Sequence, residues 1–179
     1  MEQKVILVDS DDKPLGLMEK MKAHENGGTL HRAISVYIFN SKNQIMMQQR
    51  ADHKYHSGSL WTNTCCTNCY EGESAEYSAH RSLKVEMGFD CELKEVFSLI
   101  YKTEVGEELT EHEFLHVFFG RYDLDPKANP EEVKNWKWMG LEELEKDAEA
   151  NPNNYTNWLK LLLKGRLHGE IEKFLESSR

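Results

Sequence analysis

Trp61-Thr-Asn-Thr-Cys65-Cys66-Thr-Asn68-Cys69-Tyr-Glu-Gly72-Glu73-Ser74 runs directly into Ala75-Glu-Tyr-Ser-Ala79-His-Arg81-Ser82-Leu83-Lys-Val85-Glu86-Met87-Gly88-Phe89. The second half reads as a helix over Ser74 to Met87. Ser74 suits the N-cap, where its hydroxyl accepts from a free N–H of the first turn. Gly88 suits the left-handed position after the last turn. Ala75, Ala79 and Leu83 recur every fourth residue and form one apolar stripe. The first half reads as a polar loop that holds three thiols just ahead of the cap. Buried packing is a common fate for cysteine, but a cysteine in a polar loop before a helix suits chemistry better. Cys65 competes with Cys66 for that role, because periodicity does not separate neighbours. Cys69 forms C-x-x-C with Cys66 and is a candidate ligand, although one such pair without a second is weak evidence for a zinc ribbon.

Around this segment the chain alternates strand and helix patterns. Lys4 to Val8 reads as a strand closed by the turn-rich Asp9 to Pro14, and Leu17 to Ala23 as a short strand or turn leading to His24. His31 to Asn40, rich in Val, Ile, Tyr and Phe, reads as a strand, followed by a hairpin turn and a strand over Gln44 to Gln49. Arg50 to Gly58 is a polar, basic loop. Cys91 to Thr103, Glu113 to Tyr122 and Trp136 to Met139 read as strands. Leu141 to Glu149 reads as a helix, and Tyr155 to Leu175 as helical with a break at Gly165. Central strands with flanking helices predict an α/β (α+β) sandwich as one domain over residues 1–179. Neither G-x-G-x-x-G nor a Walker sequence is present.

The formal net charge of −9 argues against partnership with nucleic acid or an anionic membrane, though a pocket needs only local cations to take a small anion. No apolar run is long enough to span a bilayer, and the N-terminal residues lack the basic-then-apolar layout of a secretory leader. The expected location is therefore cytoplasmic. The four cysteines are Cys65, Cys66, Cys69 and Cys91; three share one short segment, which does not suit a disulfide framework.

Glu111 and Glu113 stand two apart in a strand pattern, so both point to one face, which Leu115, Val117 and Phe119 continue as apolar. Buried there, they require a metal or a cationic partner. Alone, E-x-E is most often a solvated strand end, and a lone His24 or His31 is most often structural. Jointly, imidazole and carboxylate suit a divalent ion such as Zn²⁺ or Mn²⁺.

The helix also compares with the Nudix pattern G-x5-E-x7-R-E-U-x-E-E-x-G-U, where U is apolar. Glu73, Arg81, Leu83, Glu86, Gly88 and Phe89 match it, while Thr67, Ser82 and Val85 replace its first glycine and two of its glutamates. The lost carboxylates are ones that grip Mg²⁺ in diphosphate hydrolases, so hydrolysis of a diphosphate is the second reading rather than the first.

With His31-Arg-Ala-Ile-Ser-Val-Tyr-Ile-Phe-Asn40, Gln49-Arg50, Trp61-Thr-Asn-Thr-Cys-Cys66 and Glu111-His-Glu113, the chain resembles the type I isopentenyl-diphosphate isomerases, a Nudix-fold family. The resemblance runs from about Lys20 to Trp158. It implies a Nudix-type α/β/α sandwich with a mixed central sheet. It also implies isomerisation of isopentenyl to dimethylallyl diphosphate, a small-molecule diphosphate substrate. By position, Cys66 and Glu113 match the catalytic pair. His24, His31, Glu111 and Glu113 match ligands of Mn²⁺, Zn²⁺ or Mg²⁺, and Glu86 matches a ligand of a second ion, Mg²⁺, that bridges to the diphosphate. Lys20, Arg50 and Lys54 match contacts to the diphosphate, and Tyr101 and Trp158 match pocket aromatics. Two positions depart. Asn68, followed by Cys69, stands where the family has a third metal histidine, which leaves the identity of that metal open. Ser82 stands where some members have a phosphate-binding arginine, so Arg81 is expected to carry that contact.

Overall fold

The computed structural model describes residues 3–106 and 108–177. Of the N-terminal residues read above, Met1 and Glu2 lie outside them. The elements in chain order are β1 (Lys4–Val8), β2 (Pro14–Glu19), α1 (Lys20–His24), β3 (His31–Phe39), β4 (Ile45–Arg50), β5 (Trp61–Thr62), β6 (Cys65–Asn68) and α2 (Ala75–Ser82). A π-helical turn, Leu83–Met87, extends α2. Then come β7 (Leu93–Gly106), β8 (Leu109–Arg121), β9 (Val133–Met139), α3 (Leu141–Ala150), α4 (Asn157–Leu162) and α5 (His168–Glu176).

Among the described residues, β3 organises a nine-stranded sheet. It runs parallel to β8, with His31 opposite Glu113, and antiparallel to β6, with Ser35 opposite Cys66. β7 and β8 form a long antiparallel hairpin, and β4 pairs with both β5 and β9. The sheet is therefore mixed. Every residue of β3 except Arg32 is buried, as expected of a strand covered on both faces. Ile34, Val36 and Ile38 pack under Ala79, Leu83 and Met87 of α2 and its extension. Tyr37 and Phe39 face Leu144, Leu159, Leu162 and Ile171 from α3 to α5. The result is the three-layer sandwich expected, with helices on each side of the sheet. Each fully buried Leu contributes about 1.5–3 kcal/mol through removal of apolar surface from water.

The helix punctuation holds. Ser74 Oγ accepts from the Tyr77 N–H at 3.1 Å, and Gly88 has φ 73°. A Cβ on Gly88 would also lie 2.3 Å from the Lys127 carbonyl oxygen, so two independent constraints require glycine.

Two segments differ from the sequence reading. Leu17 to Ala23 divides into the end of β2 and α1, and Glu19 caps the helix by accepting from the N–H groups of Met21 and Lys22 at 2.8 and 3.1 Å. His24 therefore projects from a helix end. The thiol segment is not a loop: Cys65–Asn68 is a strand paired with β3. Its pattern is hidden because the buried residues before it are polar. Thr62, Asn63 and Thr64 are all 0% exposed. Among the described residues, no helix is long and apolar enough to cross a membrane.

Candidate active site

The three polar residues before Cys65 form an internal scaffold. The Asn63 amide donates to Ser35 Oγ at 2.9 Å, to Val36 O at 3.1 Å and to Cys65 O at 2.7 Å. Thr64 Oγ accepts from the Ile38 N–H and donates to Met46 O, tying β3 to β4. Thr62 Oγ accepts from Trp158 Nε1 at 3.0 Å. These contacts satisfy groups that burial would otherwise leave unpaired. They also fix which side chains of β6 face which way. Cys65 packs in the α2-side core, as does Cys69 just beyond the strand. Cys66 and Asn68 face a cavity of ≈ 190 Å³ on the opposite side. The alternation of the strand thus chooses between Cys65 and Cys66 and removes Cys69 from consideration as a ligand.

Glu111 and Glu113 share that cavity, as their two-residue spacing predicts. Behind them lie His24 and His31, each 0% exposed. His24 Nε2 sits 3.0 Å from Glu111 Oε2, and its Nδ1–H donates to Lys20 O at 2.7 Å. His31 Nδ1–H donates to Thr29 O at 2.8 Å, which leaves Nε2 as the lone-pair nitrogen of the neutral ring. That buried nitrogen makes no hydrogen bond; it lies 3.9 Å from Glu113 Oε1, with the Asn68 side chain beside the ring. A third imidazole, His56, comes from the loop between β4 and β5, its Nε2 3.1 Å from Glu111 Oε1. Ligand atoms of His24, His56 and Glu111 lie within 4.8 Å of one another, as do those of His31, Glu111 and Glu113. The inward Nε2 atoms of His24 and His31, oriented from behind by the Lys20 and Thr29 carbonyls and set against carboxylates, fit a borderline divalent cation.

Electrostatics separate the two carboxylates in the metal-free protein. Burial opposes ionisation of Glu111, but the hydrogen bond from His24 and the His56 ring beside it outweigh burial and hold its carboxyl well below the usual range. Burial, reinforced by the charge of Glu111, pushes Glu113 well above it. Tyr101, opposite Glu113 in the β7–β8 ladder, donates its hydroxyl to Glu113 Oε2 at 2.7 Å. Burial pushes the Cys66 thiol up to about 12. Cys66 and Glu113 thus face one cavity, and burial favours the protonated form of each.

Cations gather on another wall. Burial and the neighbouring Lys54 charge lower the Lys20 ammonium. Arg50 stacks over the Trp158 ring at 5.3 Å, and its buried Nε–H has no partner. Lys54 pairs with Glu132, an acidic cavity residue that the sequence reading did not single out. Glu86 also lines the cavity; Ser82 Oγ and Gln48 Nε2 donate to it, and burial raises its carboxyl. Ser82 thus supports Glu86 where the Nudix pattern has another glutamate. Arg81 borders the cavity, but Nε and one terminal nitrogen make a bidentate pair with Glu73 at 2.7 and 2.8 Å. That nitrogen also reaches Asn68 O at 3.2 Å, so Arg81 clips the helix to the end of β6.

His56 was not singled out from sequence either. It sits in a polar loop without periodicity, and only the path of that loop brings it to Glu111.

Residues 29–159 match the NUDIX domain family. The chain is 50% identical over 163 residues to isopentenyl-diphosphate Delta-isomerase 2 of Aromatoleum aromaticum, covering 91% of this chain and 86% of that protein. It is 47% identical to the isopentenyl-diphosphate Delta-isomerase of Pectobacterium atrosepticum, covering 88% and 87%. Among solved structures, DR0079 from Deinococcus radiodurans superposes with a TM-score of 0.75 at 17% identity, covering 90% of this chain and 98% of that one, a likeness of fold alone. The buried His–Glu cage, the thiol across the cavity and these relatives agree: the chain belongs to the NUDIX family and, within it, to the isopentenyl-diphosphate Delta-isomerases.

Proposed function

We propose that the chain interconverts isopentenyl and dimethylallyl diphosphate, with Cys66 and Glu113 as the catalytic pair, in the cytoplasm. The observation that carries this reading is the placement of both acids on one ≈ 190 Å³ cavity that also has a cationic wall. That volume is below the roughly 300–1,000 Å³ of most drug-sized sites and suits a short olefin.

Lys20, Arg50 and Lys54 bind the diphosphate, and its oxygens satisfy the unpaired Arg50 Nε–H. Arg81 acts chiefly by holding β6, through Glu73 and Asn68 O. His24, His31, Glu111 and Glu113 hold Mn²⁺ or Zn²⁺. Glu86 contributes a single carboxylate to Mg²⁺, an ion that commonly takes its remaining ligands from water and substrate phosphates. A cation in the cage supplies positive charge that lowers the proton affinity of Glu113, making it the acid or base partner that the thiol needs.

The reaction adds a proton at the terminal =CH₂ carbon and removes one from the CH₂ on the other side of the branched carbon. The tertiary carbocation between these steps loses its charge as that second C–H bond becomes the new double bond. An unactivated alkene is a weak base, so the donor must be held against it in reactive geometry. Cys66 on β6 and Glu113 on β8 provide donor and acceptor from two strands locked to β3. Trp158, anchored through Thr62, excludes water and offers a π-face to the cation.

The test is incubation with isopentenyl diphosphate in D₂O with Mg²⁺ and then added Mn²⁺ or Zn²⁺, followed by NMR. Deuterium-bearing dimethylallyl diphosphate is expected, and Cys66→Ala and Glu113→Gln should abolish it while retaining the fold. Turnover at the wild-type rate by either variant defeats the assignment. Hydrolysis of nucleoside diphosphate compounds with no isomerisation would favour a hydrolase instead.

A further inference from the structure

We propose that His56 is a direct ligand of the divalent cation, supplying the cage's third imidazole from the loop between β4 and β5. This rests on the metal-cage reading above and assigns a ligand to it. Three observations carry it. His56 is 7% exposed, and its Nε2 is a buried nitrogen without a hydrogen bond, as is His31 Nε2. That Nε2 stands 3.1 Å from Glu111 Oε1, close enough to share a cation but off the line of a hydrogen bond. The ligand atoms of His24 and Glu111 lie within 4.8 Å of it, and Glu111 also belongs to the group with His31 and Glu113. A buried imidazole is costly when unpaired, and a cation held by His24, His56 and Glu111 would pair the orphaned His56 nitrogen.

The loop is built to hold the ring there. His56 O accepts from an Arg50 terminal nitrogen at 3.3 Å, and the Ser59 N–H donates to Arg50 O at 3.2 Å. A Cβ on Gly58 would lie 2.5 Å from Asp52 O, so the loop closes tightly on itself. The ring is wedged edge-on to Tyr55 at 4.4 Å and to Trp158 at 5.8 Å. Asn68 reaches the same cavity from β6, but an amide oxygen is a weaker ligand than imidazole for Zn²⁺ or Mn²⁺. With His56 as ligand, the cage does not depend on residue 68. The loop that closes it starts from Arg50 at the end of β4 and carries Lys54, both of the cationic wall.

The experiment is a Zn²⁺ titration of metal-free wild-type protein, read by ¹⁵N-imidazole NMR and calorimetry, with variants assigning the rings. The expected result is that Nε2 of His56 shifts on Zn²⁺ binding together with Nε2 of His24 and His31. His56→Ala should then bind Zn²⁺ at least roughly ten-fold more weakly. Adding Asn68→His should recover the affinity. His56→Gln, checked for an unchanged metal-free melting curve, separates ligand loss from misfolding. Shifts at His24 and His31 with none at His56, and undiminished affinity in His56→Ala, would overturn the proposal and leave the cage standing. No shift at any of the three rings would remove the cage and the proposal together.

Discussion

The protonation of Cys66 is open to a direct kinetic test in the metal-free protein. Burial holds this thiol up at about 12, against about 8.5 for an ordinary cysteine. At pH 8 the thiolate fractions are then about 10⁻⁴ and roughly one quarter, a ratio of about 2,000. Nucleophilicity rises with basicity with a slope of about 0.4–0.5 for attack on a disulfide, which returns roughly 40-fold across that gap. Cys66 should therefore react with a small disulfide reagent roughly 50-fold more slowly than a free cysteine at pH 8. Restricted access would slow the reaction equally at every pH, so the slope is decisive. The rate at Cys66 should climb about ten-fold per pH unit from pH 7 to 10, without the plateau an ordinary thiol shows above about pH 9. The assay is quenched-flow labelling of a Cys91→Ser variant, with the Cys66 peptide quantified by mass spectrometry. Cys91 is removed because it is the other partly exposed thiol. A plateau below pH 8, or a rate matching free cysteine, would mean a resting thiolate and would refute Cys66 as a neutral proton donor.

Other perturbations follow from the same geometry. Asn63→Ala should cost roughly 3–5 kcal/mol, because it orphans acceptors at Ser35, Val36 and Cys65; a melting temperature lowered by about 6–20 °C would register it, and an unchanged curve would contradict the scaffold role. Glu113→Gln should stabilise the metal-free protein at neutral pH. The folded carboxyl is raised above its unfolded value of 4.5, so wild-type stability is fully present below that value and is lost as pH rises toward the folded one. The Gln variant lacks this loss, so its advantage in denaturant midpoint should widen as pH climbs from 4.5; a constant difference would count against a raised Glu113 carboxyl. Gly88→Ala should destabilise by roughly 2–4 kcal/mol in urea titration, since the positive φ of 73° and the nearby Lys127 carbonyl both reject a Cβ.

Local chemistry was legible in the sequence wherever it obeyed a period or a cap. Ser74 and Gly88 bracket the helix because capping is a property of a few adjacent residues. The common face of Glu111 and Glu113 followed from the two-residue repeat of a strand, and both do enter one cavity. The degenerate Nudix pattern and the isomerase-like segments gave the family and the three-layer fold. The tertiary structure decided the rest. It turned Cys66 toward the cavity and Cys65 into the core, because β6 is held in one register against β3 by the buried Asn63 amide. It tied Arg81 to Glu73 and brought His56 from an aperiodic loop to Glu111. The orientation of a strand side chain and the reach of a loop depend on partners distant in the chain, and sequence spacing encodes neither register nor path.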